Sequence, residues 1–313
     1  MGRFFSVEKI YLASPRGFCS GVERAVKTVE LVLNKFGTPI YVKHQIVHNQ
    51  HVVDCFKKKG VIFVEDLKDI PDNSIVILSA HGSAPNIYEE ARKKNLKIFD
   101  ATCPLVTKVH IEAKKYEKEG YFIFYIGHFG HPEPTGVLGE VVPSSIALIE
   151  TVEDVISVKI PQAKKLVVLS QTTLSFDETK KIIANLKKRF PNLIVPPASD
   201  ICFSTQNRQN AVKKLAKKVE LILVVGSKES SNSNRLVELA KGLGVAAHLI
   251  NDKTEIKSTW FVNIKNLGIT AGASAPENLI QDIISSIADF KTQIKELVAV
   301  VEKTHFPLPN NLK

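Results

Sequence analysis

Three of the four cysteines fall one per segment in a chain that repeats its own layout three times. Cys19 lies in SPRGFCSGVERAVKTVELV, Cys103 in DATCPLVTKVHIEAKKYEK and Cys202 in SDICFSTQNRQNAVKKLAKKVE. Each follows a short polar turn and opens a stretch with helical apolar spacing. Unpaired N–H groups and the positive end of a helix dipole favour thiolate over thiol at such a place. Three thiolates placed alike can converge on a metal centre with one position left open. No histidine shares their turns, so the soft sulfur set points to an iron–sulfur cluster. Cys103-Pro104 is also a pairing found in cluster-binding runs. A cube held by three thiolates leaves one iron free as a Lewis acid. Zinc with three cysteines and a water stays open on ligand type alone. Cys55, in VVDCFKKKG, stands outside the repeat and reads as a helix-face thiol.

Two further units recur in each segment, each a strand, a polar turn and a helix. The second units are IYVKHQIVHNQHVVDCF, FIFYIGHFGHPEPTGVLGE and LILVVGSKESSNSNRLVELA. The third are IVILSAHGSAPNIYEEARKK, LVVLSQTTLSFDETKKIIANL and LGITAGASAPENLIQDIISSI. Cys19 to His48, Cys103 to His131 and Cys202 to Ser230 each span 28 or 29 residues. Self-similarity of this kind is read before anything else, because missing it mis-assigns the fold. His48, His81 and His131 occupy comparable positions after strands. Ser230, Ser231, Asn232 and Ser274 precede helices. Hydroxyls, an amide and helix-start N–H groups make a cradle for a phosphate or diphosphate, to which imidazoles can add charge. Ordinary N-capping accounts for one or two of these residues, not for their clustering with histidines. Glu133, two residues after His131, is the acid in these turns best placed to move a proton, with Thr172 as a relay. Glu140 and Glu229 look like helix-surface or turn residues. His44, His51, His110, His248 and His305 read as structural, and His128 as a neighbour of the site.

The elements that must position these groups are legible. IVILS, FIFYIG, LVVLS, LILVVG and LGITAG are continuous and rich in β-branched residues, as strands of a parallel sheet covered on both faces should be. Ligands in open α/β sheets bind beyond the carboxyl ends of the strands, so the polar turns belong on ligand-facing edges. The expected fold class is α/β: three similar αβα modules with mainly parallel sheets, in a pseudo-threefold arrangement around a central cluster. The modules are drawn at 1–101, 102–200 and 201–290, with a C-terminal tail over 291–313. In the tail, ELVAVVEK suits a short strand or helix, and THFPLPNNLK an extended run packing across another segment.

Bulk properties narrow the class. The 313 residues allow two or three domains. Four cysteines in a chain this long do not make a disulfide framework. No apolar run approaches the ~18 residues of a membrane span, and MGRFFSVEKI lacks a signal-peptide core, so a cytoplasmic protein is expected. MGRFFS matches the loose N-myristoylation pattern, but without a second anchor it reads as coincidence. The net charge of +10 invites a nucleic-acid reading. Its lysines, such as Lys57–Lys59, Lys187, Lys188, Lys213 and Lys214, are instead scattered over several helix faces, with no aromatic stacking platform. Solvated helix faces, and steering of anionic substrates or an acidic electron donor, fit better.

The stretches PRGFCSGVERA, IVHN, SAHG, DATCPLVTKVH, GHPE, QTTLS, SDIC, GSKESSNSNRL and TAGASAP, in that order from about residue 10 to about 280, resemble the 4-hydroxy-3-methylbut-2-enyl diphosphate reductases. These are the terminal enzymes of the methylerythritol phosphate route to isoprenoids. The resemblance implies one [4Fe–4S] cluster per chain, held by Cys19, Cys103 and Cys202. It implies a diphosphate site of His48, His81, Ser230, Asn232 and Ser274, with Ser231 and His131 close by. Glu133 and Thr172 match the family's proton-delivery residues. Pro134-Thr135 and Phe203-Ser204 depart from the pattern without touching a matched ligand. The implied reaction is reductive dehydroxylation of the allylic diphosphate to isopentenyl and dimethylallyl diphosphate. No G-x-G-x-x-G follows a strand, so electrons are expected from a ferredoxin or flavodoxin. Two other classes remain distinct: a redox-neutral [4Fe–4S] hydro-lyase acting on a phosphorylated small molecule, which needs no reductant, and a metal-stabilised phosphate-binding module, which tolerates Glu133→Gln.

Overall fold

A computed structural model describes residues 7–161, 165–197 and 199–312; the MGRFFS pattern lies outside them. The apolar runs become strands, and the amphipathic stretches after the polar turns become helices. In chain order β1 (Lys9–Ser14) leads to α1 (Ser20–Phe36), β2 (Ile40–Lys43), α2 (Gln50–Lys58), β3 (Val61–Val64), β4 (Ile75–Leu78), α3 (Pro85–Lys93) and β5 (Lys97–Asp100). Next come α4 (Pro104–Lys118), β6 (Tyr121–Ile126), α5 (Pro132–Leu138), β7 (Ile146–Ile149), α6 (Val152–Ser157), β8 (Lys165–Ser170) and α7 (Phe176–Arg189). The last group is α8 (Phe203–Leu215), β9 (Leu221–Val225), α9 (Ser231–Gly242), β10 (Ala246–Ile250), β11 (Asn266–Ala271), α10 (Glu277–Ile287) and β12 (Gln293–Val298).

The strands form three sheets, ordered β3-β2-β4-β5, β7-β6-β8 and β10-β9-β11-β1-β12, and every pairing is parallel. The expected α/β fold with parallel sheets is the one adopted. Two compact units result. One comprises the described residues of 1–22, 48–52 and 203–305 and contains the five-stranded sheet. The other comprises those of 23–47, 53–202 and 306–313 and contains the four- and three-stranded sheets.

A common strand order underlies all three sheets. Counted along the chain from β2, β6 or β9, the first three strands lie second, first, third, and a fourth lies beside the third; in the five-stranded sheet β1 takes that fourth place. The three-stranded sheet gains its fourth member from a parallel bridge between Val167 and Ile194. That fourth strand leads into a cysteine each time: β5 into Cys103, the Ile194 stretch into Cys202, and β1 into Cys19. Each cysteine therefore follows the strand in the fourth place of its sheet, whereas the sequence repeat starts each segment at its cysteine. Strands β2–β5 and β6–β8 fall within the stretches 1–101 and 102–200. By contrast, β1 and β12 join β9–β11, outside 201–290.

Burial follows the pattern expected of covered parallel strands. Along β9, Leu221, Leu223 and Val225 pack with Leu279, Ile280 and Ile283 of α10, while Ile222 and Val224 pack with Val212 and Leu215 of α8 and Leu236 of α9. Along β6, Phe122 and Phe124 meet Ile182 and Leu186 of α7, and Ile123 and Tyr125 meet Val109 of α4 and Val137 of α5. Apolar surface buried on both faces at about 25 cal/mol per Å² is what offsets the cost of ordering these elements. Of ELVAVVEK, expected as a strand or helix, only Glu296–Val298 are in a strand, the end of β12, an exposed edge paired to β1. Residues 301–309 run without helix or strand. Pro307 O accepts the Arg24 Nε–H at 2.7 Å, and Asn311 Nδ2 donates to Ile98 O at 2.9 Å. Among the described residues no helix is long and apolar enough to cross a membrane.

Candidate active site

The second-first-third strand order creates a crevice in each sheet, between the carboxyl ends of its first and third strands, where open α/β sheets take their ligands. The polar residues singled out from sequence follow those strands. His48 follows β2, His81 follows β4, His131 follows β6 and Thr172 follows β8, while Ser230–Asn232 follow β9 and Ser274 follows β11. The cysteines follow the fourth strands, and a carbonyl of the third-strand turn holds each one. Cys103 N–H donates to Ala80 O at 3.0 Å, Cys202 N–H to Thr172 O at 3.0 Å, and Cys19 N–H to Ala273 O at 3.2 Å. None of the three is in a disulfide, all are partly buried, and each stands immediately before a helix. Cys55 is exposed on α2.

In the larger unit Glu133 is the central group. It lies in the first turn of α5, which Pro132 starts and His131 caps: His131 Nδ1 accepts the Glu133 N–H at 3.1 Å. Glu133 is only 2% exposed. Thr172 meets both carboxyl oxygens, its N–H donating to Oε1 at 2.6 Å and its hydroxyl to Oε2 at 3.1 Å. Burial pushes the Glu133 carboxyl up from 4.5 to about 7; the two Thr172 bonds pull the other way and do not restore it. The preference for the proton is worth about 3 kcal/mol. Burial, then His128 and His44, lower His131 to about 4, so its ring is neutral near pH 7. His81 holds Ser79 Oγ at 3.2 Å and meets the His131 ring edge-on, centroids 5.9 Å apart. Thr172 thus joins an acid to the turn of Cys202, its side chain and N–H on the one and its carbonyl on the other.

The smaller unit holds the cradle. Ser230 caps α9, its hydroxyl accepting the Ser233 N–H at 3.3 Å and the Ser233 hydroxyl at 3.0 Å. Ser274 Oγ donates to His48 O at 2.9 Å, fixing the His48 turn against the end of β11. Ser231 Oγ and both amide atoms of Asn232 are buried and bond no protein atom. An unpaired buried amide is costly, about 1–3 kcal/mol, and calls for a ligand or water at the helix start. Two glycines permit this packing. A Cβ at Gly272 would stand 2.0 Å from Ser233 Oγ, and one at Gly226 2.3 Å from it. Both glycines directly follow strands that flank the crevice.

Other residues take quieter roles. His51 pairs with Asp252 at 3.1 Å, His248 stacks on Trp260, and His305 and Glu229 are exposed. His128 pairs with Glu150 at 2.8 Å. His110 is buried, with Nδ1 2.7 Å from Glu140 Oε1, so the Glu140 carboxyl faces a histidine rather than solvent. Two groups escape the sequence reading. His44, in the left-handed region at φ 60°, meets the His81 ring at 5.9 Å. Tyr125 is buried beside Glu133, and its hydroxyl bonds no protein atom. The alternation along FIFYIG marks Tyr125 as a core residue and says nothing of what lies over its hydroxyl; only the KH pair ending β2 hints at His44.

Fold and site define an α/β enzyme that handles an anion and a proton at the ends of parallel strands, with three cysteines at the turns. The sequence profile described as LytB protein matches residues 10–288. The 4-hydroxy-3-methylbut-2-enyl diphosphate reductase of a Polaromonas species is 49% identical over 308 residues, covering 98% of this chain and 92% of that one. Its namesake from Haemophilus influenzae is also 49% identical, covering 97% and 98%. The solved E-1-hydroxy-2-methyl-but-2-enyl-4-diphosphate reductase of Plasmodium falciparum superposes with a TM-score of 0.94 at 41% identity, over 98% of this chain and 97% of that one. The chain belongs to the LytB protein family.

Proposed function

We propose that this chain is a 4-hydroxy-3-methylbut-2-enyl diphosphate reductase, catalysing the terminal step of the non-mevalonate route to isoprenoids. Its relatives of that name align over nearly their whole length. One observation in the fold carries the chemical reading: a buried acid poised near neutrality, bonded twice by Thr172, whose carbonyl anchors the Cys202 turn. The reaction replaces the allylic hydroxyl by hydrogen, consuming two electrons and two protons and releasing water.

The donor set fits an iron–sulfur cluster. Cys19, Cys103 and Cys202, none of them in a disulfide, stand in three equivalent turns, and soft thiolates suit iron and sulfide. When bound, a [4Fe–4S] cluster supplies electrons one at a time and an iron with Lewis acidity that no protein atom holds. The protein's own groups do the rest. Asn232 and Ser231, at the N-terminus of α9, receive the diphosphate with Ser230, Ser274, His48 and His81. Helix-start N–H groups and dipole favour its negative charge. Glu133 delivers a proton to the departing oxygen, its burial keeping it protonated near neutral pH. Thr172 holds that carboxyl in place, and the neutral His131 ring orients the turn that carries it. A ferredoxin or flavodoxin as donor is supported by the net charge of +10, which favours an acidic partner.

Anaerobic purification with iron and sulfide quantitation, followed by product analysis with and without reductant, tests the reading. Roughly four irons per chain and formation of isopentenyl and dimethylallyl diphosphate only with reductant are expected. Colourless, zinc-loaded protein, or turnover without reductant, would overturn it.

A further inference from the structure

Each cysteine turn is gripped by a cation that the mechanism above leaves unused. Arg24, on α1 five residues after Cys19, donates from Nη1 to Thr102 O at 2.9 Å and from Nη2 to Asp100 O at 3.3 Å. Those carbonyls lie one and three residues ahead of Cys103. Lys108, on α4 five residues after Cys103, reaches Asp200 Oδ1 at 3.0 Å, two residues ahead of Cys202. The second oxygen of that carboxyl accepts the Ser170 N–H at the end of β8, at 2.9 Å, so the turn is tied to its sheet. Arg208, on α8 six residues after Cys202, is fully buried. It donates to Gly17 O at 2.7 Å and to Phe18 O at 3.3 Å, the two residues before Cys19.

The relation is cyclic. The helix after Cys19 holds the turn of Cys103, the helix after Cys103 holds the turn of Cys202, and the helix after Cys202 holds the turn of Cys19. In each case a cation five or six residues after one cysteine meets an oxygen one to three residues before another: backbone carbonyls for Arg24 and Arg208, the Asp200 carboxylate for Lys108. Complete burial of a guanidinium is costly unless its donors are met. Arg208 meets that cost with Gly17 and Phe18 carbonyls, Ser204 O at 3.0 Å and the Glu302 carboxylate at 3.3 Å. A donor fixed to a carbonyl or, for Lys108, to the Asp200 carboxylate, one to three residues before a cysteine, sets the direction in which that cysteine leaves its strand. Groups outside the ligand shell commonly govern how tightly a metal site holds its metal.

We propose that Arg24, Lys108 and Arg208 are positioning residues for the iron–sulfur centre, each aiming the sulfur of a cysteine other than the one that starts its own helix. This rests on the cluster reading given above. The test uses the full-length chain as wild type, as Arg24→Met, Lys108→Met and Arg208→Met, and as the charge-keeping Arg24→Lys, Lys108→Arg and Arg208→Lys. All are loaded anaerobically. Iron and sulfide per chain are followed over time against a chelator, the reduced proteins are examined by EPR, and folding is checked by circular dichroism. Each folded methionine variant should lose iron roughly 10-fold faster or more and show an altered EPR line shape. Lys108→Arg and Arg24→Lys should recover at least part of both. Should Arg208→Met fail to fold, Arg24→Met and Lys108→Met still decide. Wild-type retention and an unchanged EPR signal in those two variants overturn this inference alone, whereas a wild-type protein that holds no iron overturns the cluster reading and this inference with it.

Discussion

Glu133 shows how a single carboxyl acquires its chemistry from its surroundings. Excluded from water, it keeps its proton to about pH 7, and two bonds from Thr172 keep its oxygens in place. The sign of the linkage follows from a raised value. The stability that this protonated group contributes is fully present below about 4.5 and is lost as pH rises through about 7. Glu133→Gln should therefore gain thermal stability relative to wild type between pH 5 and pH 8; a melting-temperature difference that stays flat across that range would show that the carboxyl does not titrate there. The same substitution should lower turnover by roughly 10²-fold or more while substrate binding persists, as read by single-turnover kinetics and calorimetry. Asn232 offers a second test. Its amide has no protein partner, so Asn232→Ala should cost the ligand-free fold little and weaken diphosphate affinity markedly, measurable by titration calorimetry. Residue type and repeat position place the cysteines, serines and Glu133 after strands and at helix starts, and the structure has them there. Tyr125 and His44 could not, since a buried hydroxyl under an acid and a left-handed strand end leave no periodic trace.

At the level of elements, the close approach of strand ends to helix starts depends on missing side chains. Gly272 and Gly226 let Ser233 press against the ends of β11 and β9, and Gly82 makes room for His110. Gly272→Ala should destabilise the fold by about 1–3 kcal/mol and loosen the cradle, because the new carbon meets a buried hydroxyl on a packed helix. Gly82→Ala carries two penalties, a φ of +82° and a Cβ 2.7 Å from His110 Nε2. Gly120→Ala, at φ +80° with nothing within 4 Å, should cost only about 1–2 kcal/mol; urea denaturation of this pair separates packing from backbone strain. Strands and helices were readable from period and composition. The phase of the repeat was not: nothing in the local pattern of KIYLAS tells that β1 pairs with residues more than 250 positions later. Such pairings are set by sheet topology, which the alternation of strand and helix leaves open.

For the molecule as a whole, thiol count and charge give the remaining expectations. Serine at Cys19, Cys103 or Cys202 should deplete iron, whereas Cys55→Ser, at an exposed helix position, should leave iron content unchanged. If the net charge of +10 steers an acidic electron donor, the donor's second-order rate should fall as ionic strength rises; a rate indifferent to salt would remove that role. The place of β1, between β11 and β12, has its own consequence during synthesis. Both of its neighbours are made more than 250 residues after it, tens of seconds later at about 5–20 residues per second. Through that interval the nascent chain carries an unpartnered apolar strand and a Cys19 turn with neither Arg208 nor Ala273 to hold it. Under the cluster reading, a complete set of three sulfurs has to wait for α8 and β11 to be made.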